Sequence, residues 1–134
     1  MKNLRFRIDT RTANAVRELL KSDAESRIYL YLLKTNGAKS DDIIKGTKLH
    51  PSTVRELLSK MYAQRLISRE KLRNDNIGKN PYLYRAAPPR NLLRRYITEI
   101  ELKLNKIANL ETNGQKNNHD RYVHITFHEG GDHQ

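Results

Sequence analysis

Apolar residues recur at helical spacing along most of this chain and alternate with polar ones in only a few short stretches. Between Ser40 and Ile67 the spacing resolves into two successive helices, a helix-turn-helix that runs directly into a hairpin. The first helix is short, with Ile43 and Ile44 apolar and Gly46 expected to break it. After Leu49 the second carries Val54, Leu57, Leu58 and Met61, an i, i+3, i+4, i+7 set that commits one face to a core. Pro51 is expected at its first helical position, since proline has no N–H to lose there and its φ is already helical. His50 then falls at the cap. The opposite face presents Ser52, Thr53, Arg55, Glu56, Ser59 and Lys60.

Two further helices precede this unit. Ala13, Val16, Leu19 and Leu20 share one side of a helix expected to start at Thr12, whose side-chain oxygen would cap it. Ser22 or Asp23 caps a stronger helix with Ala24, Ile28, Tyr31 and Leu32 as its buried stripe and Gly37 as a left-handed stop. Ser40 is expected to cap the next, with Asp41 and Asp42 at its positive end. Residues 1–11 alternate basic and apolar, which suits a short strand or a basic arm.

Past Ile67 the period changes. Two extended runs, about 67–72 and 82–86, flank a polar loop of Asn74, Asp75, Asn76, Gly78, Asn80 and Pro81, which is hairpin chemistry. Pro88-Pro89 punctuates the chain, and a helix follows from about Arg90 to Leu110. Its Leu93, Ile97, Ile100, Leu104 and Ile107 step by 4, 3, 4 and 3, a coiled-coil seam broadened by Tyr96 and Leu110. Such a stripe is buried either on the domain or against its copy in a second chain, and its regularity after two prolines favours a homodimer. In the last stretch Val123, Ile125 and Phe127 alternate with Tyr122, His124, Thr126 and His128. That is a strand pattern, and a lone strand must join a sheet edge or a partner.

The expected fold is therefore mainly α with a small β-hairpin wing (α+β): a winged helix-turn-helix followed by a long C-terminal coiled-coil helix. Residues 1–21 form an N-terminal arm and short helix, 22–89 the winged helix-turn-helix, 90–111 a dimerisation helix, and 112–134 a linker with a short strand or flexible tail.

Composition adds the chemistry. The 134 residues include no Cys, which removes a disulfide framework, a thiolate metal site and a cysteine nucleophile together. With no Trp and two Phe, the core must rest on Leu, Ile, Val and Tyr. MKNLRFRIDT offers no signal core and no apolar run approaches a membrane span, so a cytoplasmic protein without membrane contact is expected. The formal charge of +11 suits a polyanionic partner. The excess is +5 over residues 1–39 and +5 over 40–89 but −1 over 112–134, so it gathers around the helix-turn-helix.

A basic helix-turn-helix with an Arg- and Lys-edged hairpin reads as a binder of double-stranded DNA, its second helix in the major groove and its wing on the backbone or minor groove. Arg55 is the candidate for base readout, because a guanidinium can bond guanine at two atoms. Lys48, Arg69, Lys71, Arg73 and Lys79 are candidates for phosphates, and His50, Ser52, Thr53, Glu56, Ser59 and Lys60 complete the DNA face. Leu93, Tyr96, Ile97, Ile100, Leu104, Ile107 and Leu110 are the expected dimer interface. No glycine-rich phosphate loop, helical His-Glu metal motif or serine elbow is present, so neither an enzyme nor a cofactor is expected. Two alternatives stay open. His119, Asp120, His124, His128, Glu129, Asp132 and His133 would suit a metal-responsive winged-helix repressor, although His124 and His128 are too far apart on a straight strand to share an ion. A winged helix can also serve as a protein or RNA interaction module.

The run from Ser22 to Pro89 resembles the winged-helix domain of the TrmB-type archaeal transcription regulators. The resemblance lies in Arg27-Ile28-Tyr29-Leu30, in Pro51-Ser52-Thr53-Val54 at the start of the second helix, in Leu57 through Arg65-Leu66-Ile67, and in Tyr84-Arg85-Ala86-Ala87-Pro88-Pro89 leading into a charged helix. It implies a winged helix, a homodimer through the long C-terminal helix, and paired operator half-sites. An end at Gln134 leaves no room for the sugar-binding effector domain of larger members, so a sugar response is not expected and the residues name no small-molecule effector.

Overall fold

The computed structural model describes residues 7–73, 81–112 and 122–128. Their order is α1 (Thr10–Leu20), α2 (Asp23–Thr35), α3 (Ser40–Thr47), α4 (Pro51–Ala63), β1 (Ile67–Lys71), β2 (Tyr82–Ala86) and α5 (Pro89–Ala108), with a final 3-10 turn at Asn109–Thr112. The chain divides after Ala87 into two compact units. No helix among the described residues is long and apolar enough to cross a membrane.

In the first unit α2 is the central post, packed against α1, α3, α4 and β2. Its Ile28, Tyr29 and Leu32 meet Ile43 of α3, Val54, Leu58 and Met61 of α4, and Leu66 and Ile67 at the start of the hairpin, all buried. Burial of an aliphatic side chain of this size stabilises a fold by about 1.5–3 kcal/mol, so this cluster fixes how α4 lies on α2. Two polar ties join it. Glu25 of α2 is buried and its carboxylate meets the Lys60 ammonium of α4 at 2.8 Å. The Arg27 guanidinium donates to the Thr47 carbonyl at the end of α3.

The hairpin is antiparallel, with Ile67 opposite Ala86 and Lys71 opposite Tyr82. Between α2 and α3, Ala38 bridges to β2: its N–H donates to the Tyr84 carbonyl at 3.0 Å and its carbonyl accepts from the Tyr84 N–H at 2.9 Å. One residue at the α2–α3 corner thus anchors the wing to the helices. Gly37 precedes it at φ +114°, a conformation that side-chain-bearing residues rarely adopt, with Arg85 and the Tyr84 carbonyl close by.

Several helix ends differ from the sequence-based expectation. Asp9, not Thr12, caps α1: its carboxylate accepts from the Thr12 N–H at 2.7 Å, which holds its pKa below the usual carboxylate range. Ser22 caps α2, but Asn36 takes its left-handed end one residue before Gly37. Ser40 is the first residue of α3 rather than its cap, which is Lys39 without a side-chain bond. Gly46 does not break α3. It lies inside the helix, and a Cβ there would fall 2.1 Å from the Tyr31 ring, so it is a site of close packing. That ring is only half-buried, whereas Tyr29, left out of the expected stripe, is buried.

In the second unit, α5 starts at Pro89 and is continued by the 3-10 turn. Residues 122–128 form neither helix nor strand and join no sheet among the described residues, so the strand expected from their alternation is not formed there. A helix side chain substitutes for a neighbouring strand. The Asn105 amide donates to the Val123 carbonyl at 3.0 Å and its oxygen accepts from the Val123 N–H at 2.8 Å. Val123, Ile125 and Phe127 are half-buried while Tyr122, His124, Thr126 and His128 are exposed, so the alternation holds even without a ladder.

Candidate nucleic-acid interface

The outward face of α4 begins at its cap. The His50 ring Nδ1 accepts from the Ser52 N–H at 3.2 Å, and the Ser52 hydroxyl lies 2.8 Å from the same nitrogen. An acceptor here satisfies one of the otherwise unpaired N–H groups of a first helical turn. Pro51 follows at the first helical position, so cap and proline together open α4. Val54, Leu58 and Met61 anchor the inner face, Leu57 and Thr53 are half-buried, and Ser52, Arg55, Glu56 and Ser59 reach solvent. Among the described residues nothing pairs with Arg55, so its guanidinium is not engaged by Glu56 or Ser59.

Lys60 stands apart from its neighbours. Its hydrogen bond and ion pair with Glu25 raise its pKa and tie it to α2, so it serves as the counter-charge of a buried carboxylate. Lys48 is the left-handed residue that ends α3, at φ 61°, exposed in the turn between the two helices. The Arg27–Thr47 bond and the Thr47 hydroxyl, which donates to the Ile43 carbonyl at 2.7 Å, fix the backbone just before that turn.

On the hairpin, Lys71 and Arg73 are exposed at the far end of β1, and Lys79 lies outside the described residues. Arg69 is exposed and lies over two tyrosine rings, Tyr62 of α4 and Tyr82 of β2. Neither tyrosine was marked by sequence spacing, since Tyr62 falls on the polar side of α4. Arg85, on the other face of the strands, pairs with Glu70 at 2.6 Å. The structure therefore brings Lys48, the α4 face and the base of the wing onto one unit, with Lys60 paired to Glu25.

The seam of α5 splits in two. Tyr96, Ile97 and Ile100 are half-buried, whereas Leu93 is 37% exposed, Leu104 37%, Ile107 63% and Leu110 73%. Of the tail groups considered for metal, His124 lies 3.4 Å from Glu101, and His119, Asp120, Glu129, Asp132 and His133 lie outside the described residues. Among the described residues no three His, Cys, Asp or Glu side chains cluster as a metal site.

The fold is shared with a solved structure. A "Possible transcriptional regulator from Methanosarcina mazei Go1" superposes with a TM-score of 0.58 at 20% identity, over 82% of this chain and 97% of that one. The "zinc-responsive MarR family member" ZitR of Lactococcus lactis matches with a TM-score of 0.44 at 18% identity, over 71% of this chain and 64% of that one. The "AntR antimony-specific transcriptional repressor" gives 0.44 at 24%, over 81% and 90%. The search of curated proteins returned no match. A family model described as "Sugar-specific transcriptional regulator TrmB" matches residues 22–90, the stretch that holds α2, α3, α4 and the hairpin. That match spans just over half of the sequence, and the chain belongs to the TrmB family of transcriptional regulators.

Proposed function

We propose that this protein binds double-stranded DNA sequence-specifically as a homodimer and regulates transcription through paired half-sites. The observation that carries the reading is the division of α4: one face is locked into the core by Val54, Leu58 and Met61, and the other offers Ser52, Arg55, Glu56 and Ser59 with Arg55 unpaired among the described residues. A helix presented in this way enters a major groove with its N-terminal half at the base edges. Arg55 reads a base, Ser52, Thr53, Glu56 and Ser59 line the same groove, and His50 sets the first turn. Lys48, Arg69, Lys71, Arg73 and Lys79 meet phosphates, where each neutralised phosphate adds about 0.9 to the slope of log affinity against log salt. The exposed stripe of Leu93, Leu104, Ile107 and Leu110, with Tyr96, Ile97 and Ile100 beside it, supports pairing of α5 with its copy, which sets two reading heads on one duplex.

The test is Arg55→Ala, measured on a site selected from random duplexes and on its scrambled counterpart. A bidentate base contact discriminates by about 1–3 kcal/mol, so affinity for the selected site should fall roughly 5- to 150-fold with little change on the scrambled duplex. An equal loss on both would exclude base readout by Arg55.

A further inference from the structure

Arg69 has a fixed place on the wing before any partner is bound. Its guanidinium carbon lies 4.0 Å from the ring centroid of Tyr62, at the C-terminal end of α4, and 4.4 Å from that of Tyr82, at the start of β2. Arg69 sits opposite Tyr84 in the strand register and Lys71 opposite Tyr82, so Tyr82 is its diagonal neighbour on the same face of the hairpin. The Tyr82 and Tyr84 rings, 6.1 Å apart and tilted by 56°, support each other. Two consecutive elements, α4 and the hairpin, therefore grip one side chain.

What this contact leaves unused is as informative as what it uses. Cation–ring attraction draws on the delocalised charge of the guanidinium, while its five N–H donors remain to be satisfied. Among the described residues no carboxylate pairs with Arg69, in contrast to Arg85, which Glu70 holds on the opposite face. Arg69 is also exposed. A guanidinium placed in this way keeps its full charge and its donors, and has already lost on folding part of the rotamer freedom that docking on an anion would otherwise cost.

We propose that Tyr62 and Tyr82 are positioning residues that hold Arg69 in place for a DNA phosphate, so that the wing meets the backbone in a fixed register with α4. This rests on the duplex-DNA reading above. It predicts that removing a ring weakens binding without removing a charge, a signature different from that of removing the arginine.

The experiment is fluorescence anisotropy of the full chain on a labelled mixed-sequence duplex across a salt series, with thermal unfolding of each variant recorded in the same buffer. Phosphate contacts are sequence-independent, so no operator is required. Arg69→Ala should weaken binding and lower the salt slope by about 0.9 for each copy of the wing on the duplex. Tyr62→Ala should weaken it roughly two- to fivefold with the slope unchanged, and Tyr82→Ala likewise. Tyr62→Phe, which keeps the ring, should bind as the unaltered chain does. Tyr62→Leu, which keeps apolar bulk for folding, should behave as Tyr62→Ala does. The double variant Arg69→Ala with Tyr62→Ala should bind no more weakly than Arg69→Ala alone, because the ring acts only through the arginine. Full additivity of the two losses, or wild-type affinity in Tyr62→Ala or in Arg69→Ala, overturns the proposal while leaving duplex binding intact. Affinity of the unaltered chain that is flat across the salt series overturns the duplex reading itself, and this proposal with it.

Discussion

Replacing Tyr29 by Phe probes the bond that closes the first unit. Tyr29 is 1% exposed, and its hydroxyl donates to the Ala87 carbonyl at 2.7 Å, joining the middle of α2 to the residue at which the winged unit ends. A neutral hydrogen bond of this kind contributes about 1 kcal/mol net, and the half-buried Ala87 carbonyl keeps some access to water, so Tyr29→Phe should cost about 1–2 kcal/mol near neutral pH. The pH dependence is the sharper part. Burial pushes the Tyr29 phenol from its ordinary 10.0 up to about 12. The folded state thus holds that proton more tightly than the unfolded chain does. The associated stability is fully present below pH 10 and is lost as pH rises towards 12. A shift of that size corresponds to about 2–3 kcal/mol at 1.36 kcal/mol per unit. Urea melts from pH 8 to 12, with tyrosinate absorbance followed in parallel, should show a steep alkaline loss of stability in the unaltered chain and a shallower one in Tyr29→Phe. Superimposable alkaline branches, or ionisation of all tyrosines near their ordinary value in the folded protein, would refute this account of how the unit closes.

Three other outcomes follow from the packing. Gly46→Ala gains about 1 kcal/mol of helical propensity but drives a methyl into the Tyr31 ring, and overpacking typically costs about 1–3 kcal/mol, so denaturant melts should show no gain and a net loss of about 1 kcal/mol; a clearly stabilised variant would mean that the ring turns aside without penalty. His50→Ala removes the cap of α4 and should lower stability by about 0.5–2 kcal/mol, whereas His50→Asn, which offers an acceptor in the same place, should recover most of it in the same melts. Leu104→Glu combined with Ile107→Glu puts carboxylates on the exposed stripe of α5 and should convert a dimer to a monomer by light scattering with helical content retained; a pair of variant chains that still associates would place the contact elsewhere.

The long apolar periods were readable because they record burial directly. Val54, Leu58 and Met61 form the inner face of α4, Pro51 and His50 open it, and a helix begins at Pro89, each as the spacing and the local chemistry require. Less legible was whatever depends on a neighbour distant in sequence. Glycine usually marks a helix end, yet Gly46 is inside α3 because the Tyr31 ring occupies the space of its missing side chain. By spacing Lys60 is one more cation on a polar face, and only the fold places Glu25 of another helix against it. Ala38 lies in too short a stretch to show alternation, so its rung with Tyr84 left no periodic trace. The segment from Tyr122 alternates as a strand does, but its Val123 backbone is met by the Asn105 side chain rather than by a strand. Tyr62 and Tyr82 lie on different elements, and no spacing along either one shows that Arg69 lies over both rings once the hairpin folds back beside α4.

The central claim is that α4 reads DNA and that two copies do so together. Genome-wide footprinting of the sites bound by the protein tests both parts at once. The account predicts discrete protected sites that share a sequence, arranged as two inverted half-sites whose centres lie about 10 base pairs apart or a multiple of that, the spacing at which two related helices face the same side of a duplex. Protection spread without sequence preference, or single half-sites without a partner at a fixed spacing, would contradict it.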